Sequence, residues 1–563
     1  MNRLKTFFLS LDKQDCKYNK IYEGPMYDPV TNTTVYLPIY QDGEIGYRIE
    51  RTSRKSLDVM GINILIPAEY FEKDCKTEVV LYDFLARNFS RVVGKMNEDI
   101  CADGGNHLVT GYFLFPDISK EVHERNVCYT YWLGERKYVN VQVHFQLPRG
   151  NHKRAAKILC KQFPQSVKKF LEDLDFEELR QAEQLYKLQI RIRKWLKEST
   201  YCCFIANGSR LVESSEEETT LFLAAKEDEI EIYGIKGMGI RRGVTVLTGR
   251  GYSGKSTMLN AVSNGIYNFV KGSGKELVIT DEDAVYIAAE DGRSVRGADI
   301  SVFMKIPNMD EKNFSTDYAS GSTSQAANVV EAVEAGAKLL LLDEDRSAAN
   351  FLIRDSVMRE LILDESITPL VDIANLLYEK RNVSLIIVAG GSSEFLYRAD
   401  TILFFDKYIV KNITEQFQAK FGIRETKTEV EFPPKFQKKR RFSDSNDRSF
   451  EGMLQVSSYG IVNMGGEIIN ASHLYNVSSQ MQLNAIAFIV RKMYLFGDRI
   501  EKNGETFDEI LDPVFCEIQK NGLDSIFVSK YNCDRWMEMP RKIDVRAFLN
   551  RMKNVEFPTE IMV

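Results

Sequence analysis

The sequence has no apolar run long enough to cross a bilayer. Its longest, such as Val383 to Ala389 and the run ending at Leu342, fall far short of the roughly 20 residues a spanning helix needs, so no membrane span and no association with a membrane are expected. Secretion is not expected either. Near the N-terminus only the short stretch Phe7 to Leu11 is apolar, and Asp12 and Asp15 follow where a signal peptide would carry a longer core and small residues. A cytoplasmic protein is the expectation. Proline is scarce, 14 residues in 563, while 44% of residues are hydrophobic and 27% charged, which excludes the compositional bias of disorder. The nine cysteines form no C-x-x-C pair, which argues against a zinc or redox centre and for free thiols in a reducing compartment, with Cys202-Cys203 packed in a core. Nor is there a surplus of positive charge. The net charge of −6 excludes a nucleic-acid binder that works through overall positive potential.

What is present is size, and charge of uneven distribution. A chain of 563 residues exceeds what one hydrophobic core supports, so several domains are expected. Residues 1–200 hold 31 Lys and Arg against 27 Asp and Glu, and the remainder holds 43 against 53, so positive charge is biased towards the N-terminal part. Alternation around Val139 to Phe145, a turn at Leu147-Pro148-Arg149-Gly150 and helical patterning from about Lys153 to Lys197 predict an α+β domain over 1–200. From Tyr201 short apolar runs alternate with Gly-rich turns and helical segments, as in an α/β domain with a largely parallel sheet. That domain is placed at 201–430, with strands expected at Val244–Thr248, Val285–Ala289, Leu339–Leu342 and Leu385–Ala389. Pro433-Pro434 and the basic run Lys435, Lys438, Lys439, Arg440, Arg441 read as a linker opening a smaller C-terminal region, 431–563, with a helix around Gln480 to Met493.

Gly249-Arg-Gly-Tyr-Ser-Gly254-Lys255-Ser256 fits G-x-x-x-x-G-K-[ST]. It stands after an apolar strand and before a helix expected near Thr257, the context in which such a loop cradles phosphate. Gly249, Gly251, Ser253 and Gly254 let main-chain N–H groups turn inward around ATP, and the helix start through Thr257 adds positive potential. Lys255 reaches the β and γ phosphates, and Ser256 ligates Mg²⁺. That ion needs a further carboxylate from a neighbouring strand, and Leu339-Leu-Leu-Leu-Asp343-Glu344 offers Asp343 for the metal. Glu344, one residue on, is placed to orient and deprotonate the attacking water. A strand ending in surface acids is the bland alternative, and the P-loop weighs against it.

Ahead of that strand, Ala319-Ser320-Gly321-Ser322-Thr323-Ser324-Gln325 opens an Ala-rich helix and resembles a degenerate ABC signature motif. Ser320, Gly321, Ser322 and Gln325 would address the γ-phosphate held by a second copy, which implies a homodimer. Arg346-Ser-Ala-Ala-Asn350 is similar to the D-loop that couples paired sites. The expected fold is therefore α/β, a P-loop NTPase domain of ABC type with an α+β N-terminal domain and a smaller C-terminal region.

Beyond these segments the chain resembles the bacterial-type predicted ATPases of the ABC class, a family with a kinetoplastid mitochondrial relative associated with RNA editing. The resemblance spans nearly the whole chain through Leu81–Arg87, Leu147–Gly150, Lys236–Ile240, the P-loop, Ala289–Arg293, Asp299–Ser301, Phe314–Gln325, Leu342–Asp345, Asn350–Asp355 and Ile367–Pro369. It implies a dimeric ATPase with a basic N-terminal groove and RNA or another nucleic acid as client. Two departures from ordinary ABC enzymes stand out. Where the strand ending at Ala389 should carry a switch histidine, Gly390-Gly391-Ser392-Ser393 follows, so main-chain N–H groups or Ser392 would have to serve. No Q-loop glutamine is evident either, and Glu290 or Asp291 could approach the metal, or simply form a surface turn. Tyr233 is the nearest aromatic for adenine. Between Arg149 and Lys169 stand seven basic residues and no acidic one. Arg149, Lys153, Arg154, Lys157 and Lys161 are the nucleic-acid candidates, with Lys153, Lys157 and Lys161 spaced to share a helical face; a solvated lysine-rich helix is the alternative. An ATP-gated dimerisation switch with little turnover remains beside the hydrolase reading.

Overall fold

A computed structural model describes residues 5, 26–28, 33–35, 39–51, 59–102, 111–148, 151–211, 221–362, 366–406, 409–423, 454–497, 507–527 and 536–553. The apolar stretch Phe7 to Leu11, Arg149 and Gly150 of the predicted turn, and the linker with Pro433-Pro434 and the run Lys435 to Arg441 lie outside the described residues. The chain divides into two compact units, Met1–Tyr186 with Cys516–Met539, and Lys187–Phe515 with Pro540–Val563.

The first unit is built on an antiparallel sheet whose two long strands, Val59–Pro67 and Arg136–Gln146, pair from Val59 opposite Gln146 to Pro67 opposite Tyr138. Because side chains alternate across a strand, Met60, Ile62, Ile64 and Ile66 share a face with Val139, Val141, Val143 and Phe145. Beneath that face pack Leu85 and Phe89 of helix Glu78–Ala102, and Phe163, Val167 and Phe170 of helix Phe163–Glu172. The opposite face carries Asn63, Asn140, Gln142 and His144, all buried. Asn140 donates to Asn63 at 2.8 Å and Gln142 to Glu50 at 2.7 Å, while the His144 ring stacks on Trp536 at 4.2 Å. Burial pushes the His144 imidazole down to about 4, so it is neutral at physiological pH.

In the second unit six strands form a sheet in the order Ala284–Ile287, Leu339–Asp343, Ser384–Val388, Val244–Gly249, Thr401–Asp406, Ile409–Asn412, parallel except for the last. Each of the four predicted strands is present, within two residues of its expected ends. Leu339–Leu342 and Leu385–Val388 read as unbroken apolar runs because helices cover both faces of a parallel sheet. An antiparallel sheet of Glu229–Ile232, Ile235–Arg241, Tyr201–Ala206 and Val278–Thr280 belongs to the same unit. So does a meander of Leu454–Val456, Ile461–Met464 and Glu467–Asn470 with helix Gln480–Gly497. Cys202 and Cys203 lie fully buried in the strand Tyr201–Ala206, and every described cysteine is free. Among the described residues no helix is long and apolar enough to cross a membrane.

Candidate nucleotide-binding site

Strand order decides what meets at the carboxyl ends of the parallel strands, where ligands bind in open α/β sheets. The strand Ser384–Val388 lies between the P-loop strand and the acid-bearing strand, with Val388 level with Leu247 on one side and Asp343 on the other. The Gly249 loop, the Gly390-Gly391 turn and Glu344 therefore leave the sheet side by side.

The P-loop is shaped by its glycines. Gly249 has φ +132, and a Cβ there would meet the Phe405 carbonyl oxygen at 2.2 Å; Gly254 has φ +99. Helix Lys255–Asn264 starts directly after Gly254 with no side chain capping its first N–H groups, which leaves those donors to an anion. Ser253 turns its hydroxyl to the Arg250 carbonyl at 2.7 Å, so its contribution to a phosphate is through the main chain. The Lys255 ammonium donates to the carbonyls of Gly249 at 3.2 Å and Arg250 at 2.6 Å. Ser256 and Thr257 are half-buried in the first helical turn, and Gly251 is exposed.

Asp343 is buried at the strand end and accepts from the Asp345 N–H at 3.2 Å. Glu344 is half-buried, and its Oε2 accepts from the N–H groups of Gly390 at 2.7 Å and Gly391 at 2.8 Å. Among the described residues no group of three or more His, Cys, Asp and Glu is placed to hold a metal. A P-loop Mg²⁺ does not need one, since phosphate and water supply most of its oxygens. The uncapped helix start, the glycine-only curvature at Gly249 and the buried Asp343 carboxylate suit such an ion bound together with its nucleotide.

The signature-like segment caps a helix. Ser320 is exposed at the N-cap of Gly321–Glu334, its hydroxyl accepting from the Thr323 N–H. Ser322 donates to Asn350 of the D-loop segment at 2.6 Å. Gln325, expected at a phosphate, is wholly buried instead. Its amide donates to Ser347 at 2.8 Å and accepts from the Ala348 N–H at 2.9 Å, which satisfies a buried polar group and braces the signature helix against the D-loop.

Glu290 is buried and turned away from a metal role. Arg551 holds it, with Nε at 3.1 Å, and Asn328 donates at 3.0 Å. Burial alone would raise the Glu290 carboxyl, but Arg551 and Arg293 outweigh it and keep it below the usual range. Asp291 adjoins the signature helix, since a Cβ on Gly321 would stand 3.0 Å from its Oδ1. Tyr233 sits at a positive-φ turn between two strands with the Arg191 guanidinium over its ring at 4.2 Å. Another guanidinium, Arg346, lies over the rings of Tyr286 at 5.6 Å and Tyr475 at 4.7 Å. Motif spacing gave no sign of the Arg551 and Tyr475 contacts, which join distant stretches of chain.

In the first unit Lys153 and Lys157 in helix His152–Lys157, and Lys161 in the following π turn, are exposed. Arg154 is half-buried and donates to the Ile100 carbonyl at 2.9 Å. Phe163 and Phe170 point into the core and so are withdrawn from base stacking. Arg149 lies outside the described residues.

The parallel core, glycine cradle, strand-end acids and capped signature helix define a P-loop nucleotide-binding domain of the ABC ATPase class. In agreement, residues 175–441 match the family of ABC ATPase P-loop domains, and residues 454–558 match the family described as the MRB1590 C-terminal domain. The chain thus carries an ABC-type P-loop ATPase domain and an MRB1590-type C-terminal domain. It is similar to the uncharacterized protein MJ1628 of Methanocaldococcus jannaschii, 30% identical over 250 residues that make up 40% of this chain and 54% of that protein. The chain therefore spans about half the length of that curated relative. A solved structure, CbiO1 from Clostridium perfringens, part of the ABC transporter complex CbiONQ, matches with 14% identity and a TM-score of 0.27, over 40% of this chain and 93% of that one. A likeness of that size supports nothing further.

Proposed function

We propose that this chain is a Mg²⁺-dependent ATPase acting as a homodimer, with hydrolysis coupled to binding or remodelling of RNA or another nucleic acid. The observation that carries the reading is that Glu344 and the uncapped start of helix Lys255–Asn264 follow strand ends on either side of Ser384–Val388. The main-chain N–H groups from Gly249 to Thr257 hold the β and γ phosphates, and Lys255 leaves its two carbonyl partners to reach them. Ser256 and Asp343 are the protein's ligands to Mg²⁺, which when bound neutralises charge on the phosphates. Glu344 takes a proton from water as the water oxygen bonds to the γ-phosphorus and the bond to the ADP oxygen breaks. Ser320, Gly321 and Ser322 of the second copy cover the open side, while Gln325 holds their helix to the D-loop.

The nucleic-acid part rests on the exposed row Lys153, Lys157, Lys161, which can neutralise phosphates without reading bases. A nucleotide-gated switch with little turnover is favoured by one feature, the absence of a histidine after Ala389.

ATP turnover and retention of labelled ATP by the purified chain in magnesium buffer test the hydrolase reading. Glu344→Gln is expected to cut kcat by roughly 10²-fold or more, an effect of the size general-base removal brings, and to keep ATP bound. Lys255→Ala is expected to abolish retention. A Glu344→Gln protein with the parent's turnover would exclude the hydrolase. Retention of RNA on filters that does not fall with salt would exclude a phosphate-reading client surface.

A further inference from the structure

We infer that the consecutive main-chain amides of Gly390 and Gly391 position the Glu344 carboxylate for hydrolysis. The inference rests on the ATPase reading above and assigns to two glycines the holding of its general base.

Register brings the parts together. Asp343 and Val388 are paired in parallel strands, so the next residues of both run alongside each other as they leave the sheet. Both amides then converge on a single carboxylate oxygen, Oε2, at 2.7 and 2.8 Å. N–H groups aimed at a carboxylate form charge-assisted bonds, stronger than neutral ones, and two donors on one oxygen fix both its position and the plane of the carboxyl group. The lone pairs of Oε2 are thereby engaged, which leaves Oε1 to accept a proton from water.

Only glycine permits this approach. A Cβ on Gly391 would stand 2.7 Å from Glu344 Oε1 and 3.5 Å from its Cδ, a separation at which the carboxylate must move. Gly391 has no positive φ that would demand glycine on conformational grounds, so the closeness of Glu344 is what the missing side chain serves. On the P-loop side, the nearest atom to a Cβ on Gly390 would be Lys255 Cε at 3.7 Å. The two glycines thus border both the phosphate-binding lysine and the base, where a reacting phosphate has to fit.

Gly391→Ala tests the inference. The displaced carboxylate is expected to lower kcat by tenfold to a hundredfold, the scale on which misplacing a reacting group by about 1 Å acts, while ATP affinity stays within about twofold. A purely structural lesion would not split kcat from binding in this way. Thermal melting of Gly391→Ala in the parent and in a Glu344→Ala background supplies a readout without turnover: the melting temperature should drop in the first and not in the second, because the clash is gone. If Gly391→Ala alone is too unstable to purify, its recovery on adding Glu344→Ala is the same result. Parental kcat in Gly391→Ala, or an equal melting loss in both backgrounds, would overturn the inference. A parent protein that turns over no ATP removes the hydrolase reading by itself, and the melting pair then still decides whether the glycines hold Glu344.

Discussion

Each of the two units carries a buried ion pair that ties a late stretch of chain to much earlier residues. In the first, Arg125 lies between Asp83 of helix Glu78–Ala102 and Glu538, with Nε 2.6 Å from the Glu538 carboxylate. In the second, Arg551 grips Glu290, which also accepts from Asn328. The chemistry is the same, a guanidinium held by buried carboxylate and main-chain carbonyl oxygens. The surroundings differ. Asp83, Arg125 and Glu538 are joined to one another within the first unit, whereas the Glu290 N–H donates to Ser324 of the signature helix at 2.9 Å. Place in the fold, and not the kind of bond, separates a strut from a coupling to chemistry.

Removing one member of a buried pair leaves the other charged and unsatisfied, at a cost of about 3–5 kcal/mol. The largest effect should come from Arg125→Met, which takes the guanidinium from Glu538 and leaves Asp83 with Arg87 as its cation. Chemical denaturation should show a loss of that size, while turnover per folded molecule stays at the parental value. Reduced turnover in the folded fraction would erase the distinction between the two pairs.

Arg551→Met should cost comparable stability and also slow turnover roughly tenfold, about 1.4 kcal/mol of barrier, because Glu290 no longer anchors the turn beside Ser324 and Gly321. Steady-state kinetics at a temperature where the variant is fully folded decide it, and unchanged kcat would make this pair a strut as well. A pH test sharpens the point. The Glu290 carboxyl is held below its ordinary value, so its contribution to stability is complete above about pH 4.3, the unperturbed glutamate value, and is lost as the pH falls through the lower folded value. The parent should therefore lose melting temperature on acidification over that window, and Arg551→Met should lose less of it.

Much of the nucleotide site was legible because it is written in contiguous residues. The P-loop consensus, its flanking strand and the run Leu339 to Asp343 each need only local pattern, and the strands and helix form where that pattern puts them. What escaped requires distance. Arg551 and Glu290 are 261 residues apart, and no periodicity links them. The packing of Cys516–Met539 with the N-terminal unit depends on Glu538, Trp536 and Met537 finding Arg125, His144 and Asn126, contacts between residues that look unremarkable in their own neighbourhoods. Gln325 belongs to the signature-like segment, and only that likeness points it to a phosphate. Two hydrogen bonds to the D-loop make its burial acceptable, and they appear only when the helix is docked. Gly390-Gly391 stands in the sequence where a histidine is expected, and its contacts to Glu344 come from strand register.

The smallest effect belongs to the exposed charges of the first unit and sets them against the buried Arg125 in the same unit. Lys153, Lys157 and Lys161 lie on the surface, so replacing all three by alanine should shift stability by no more than about 0.5 kcal/mol for each site. If they contact single-stranded RNA, each lost phosphate contact should reduce the slope of log affinity against log salt by about 0.7, roughly 2 for the triple variant, with no change in preference among sequences. Affinity that falls for some RNAs and not others would point to base reading by other residues. An unchanged slope would move the client to another surface, while the buried pair in the same unit would keep its full effect on stability.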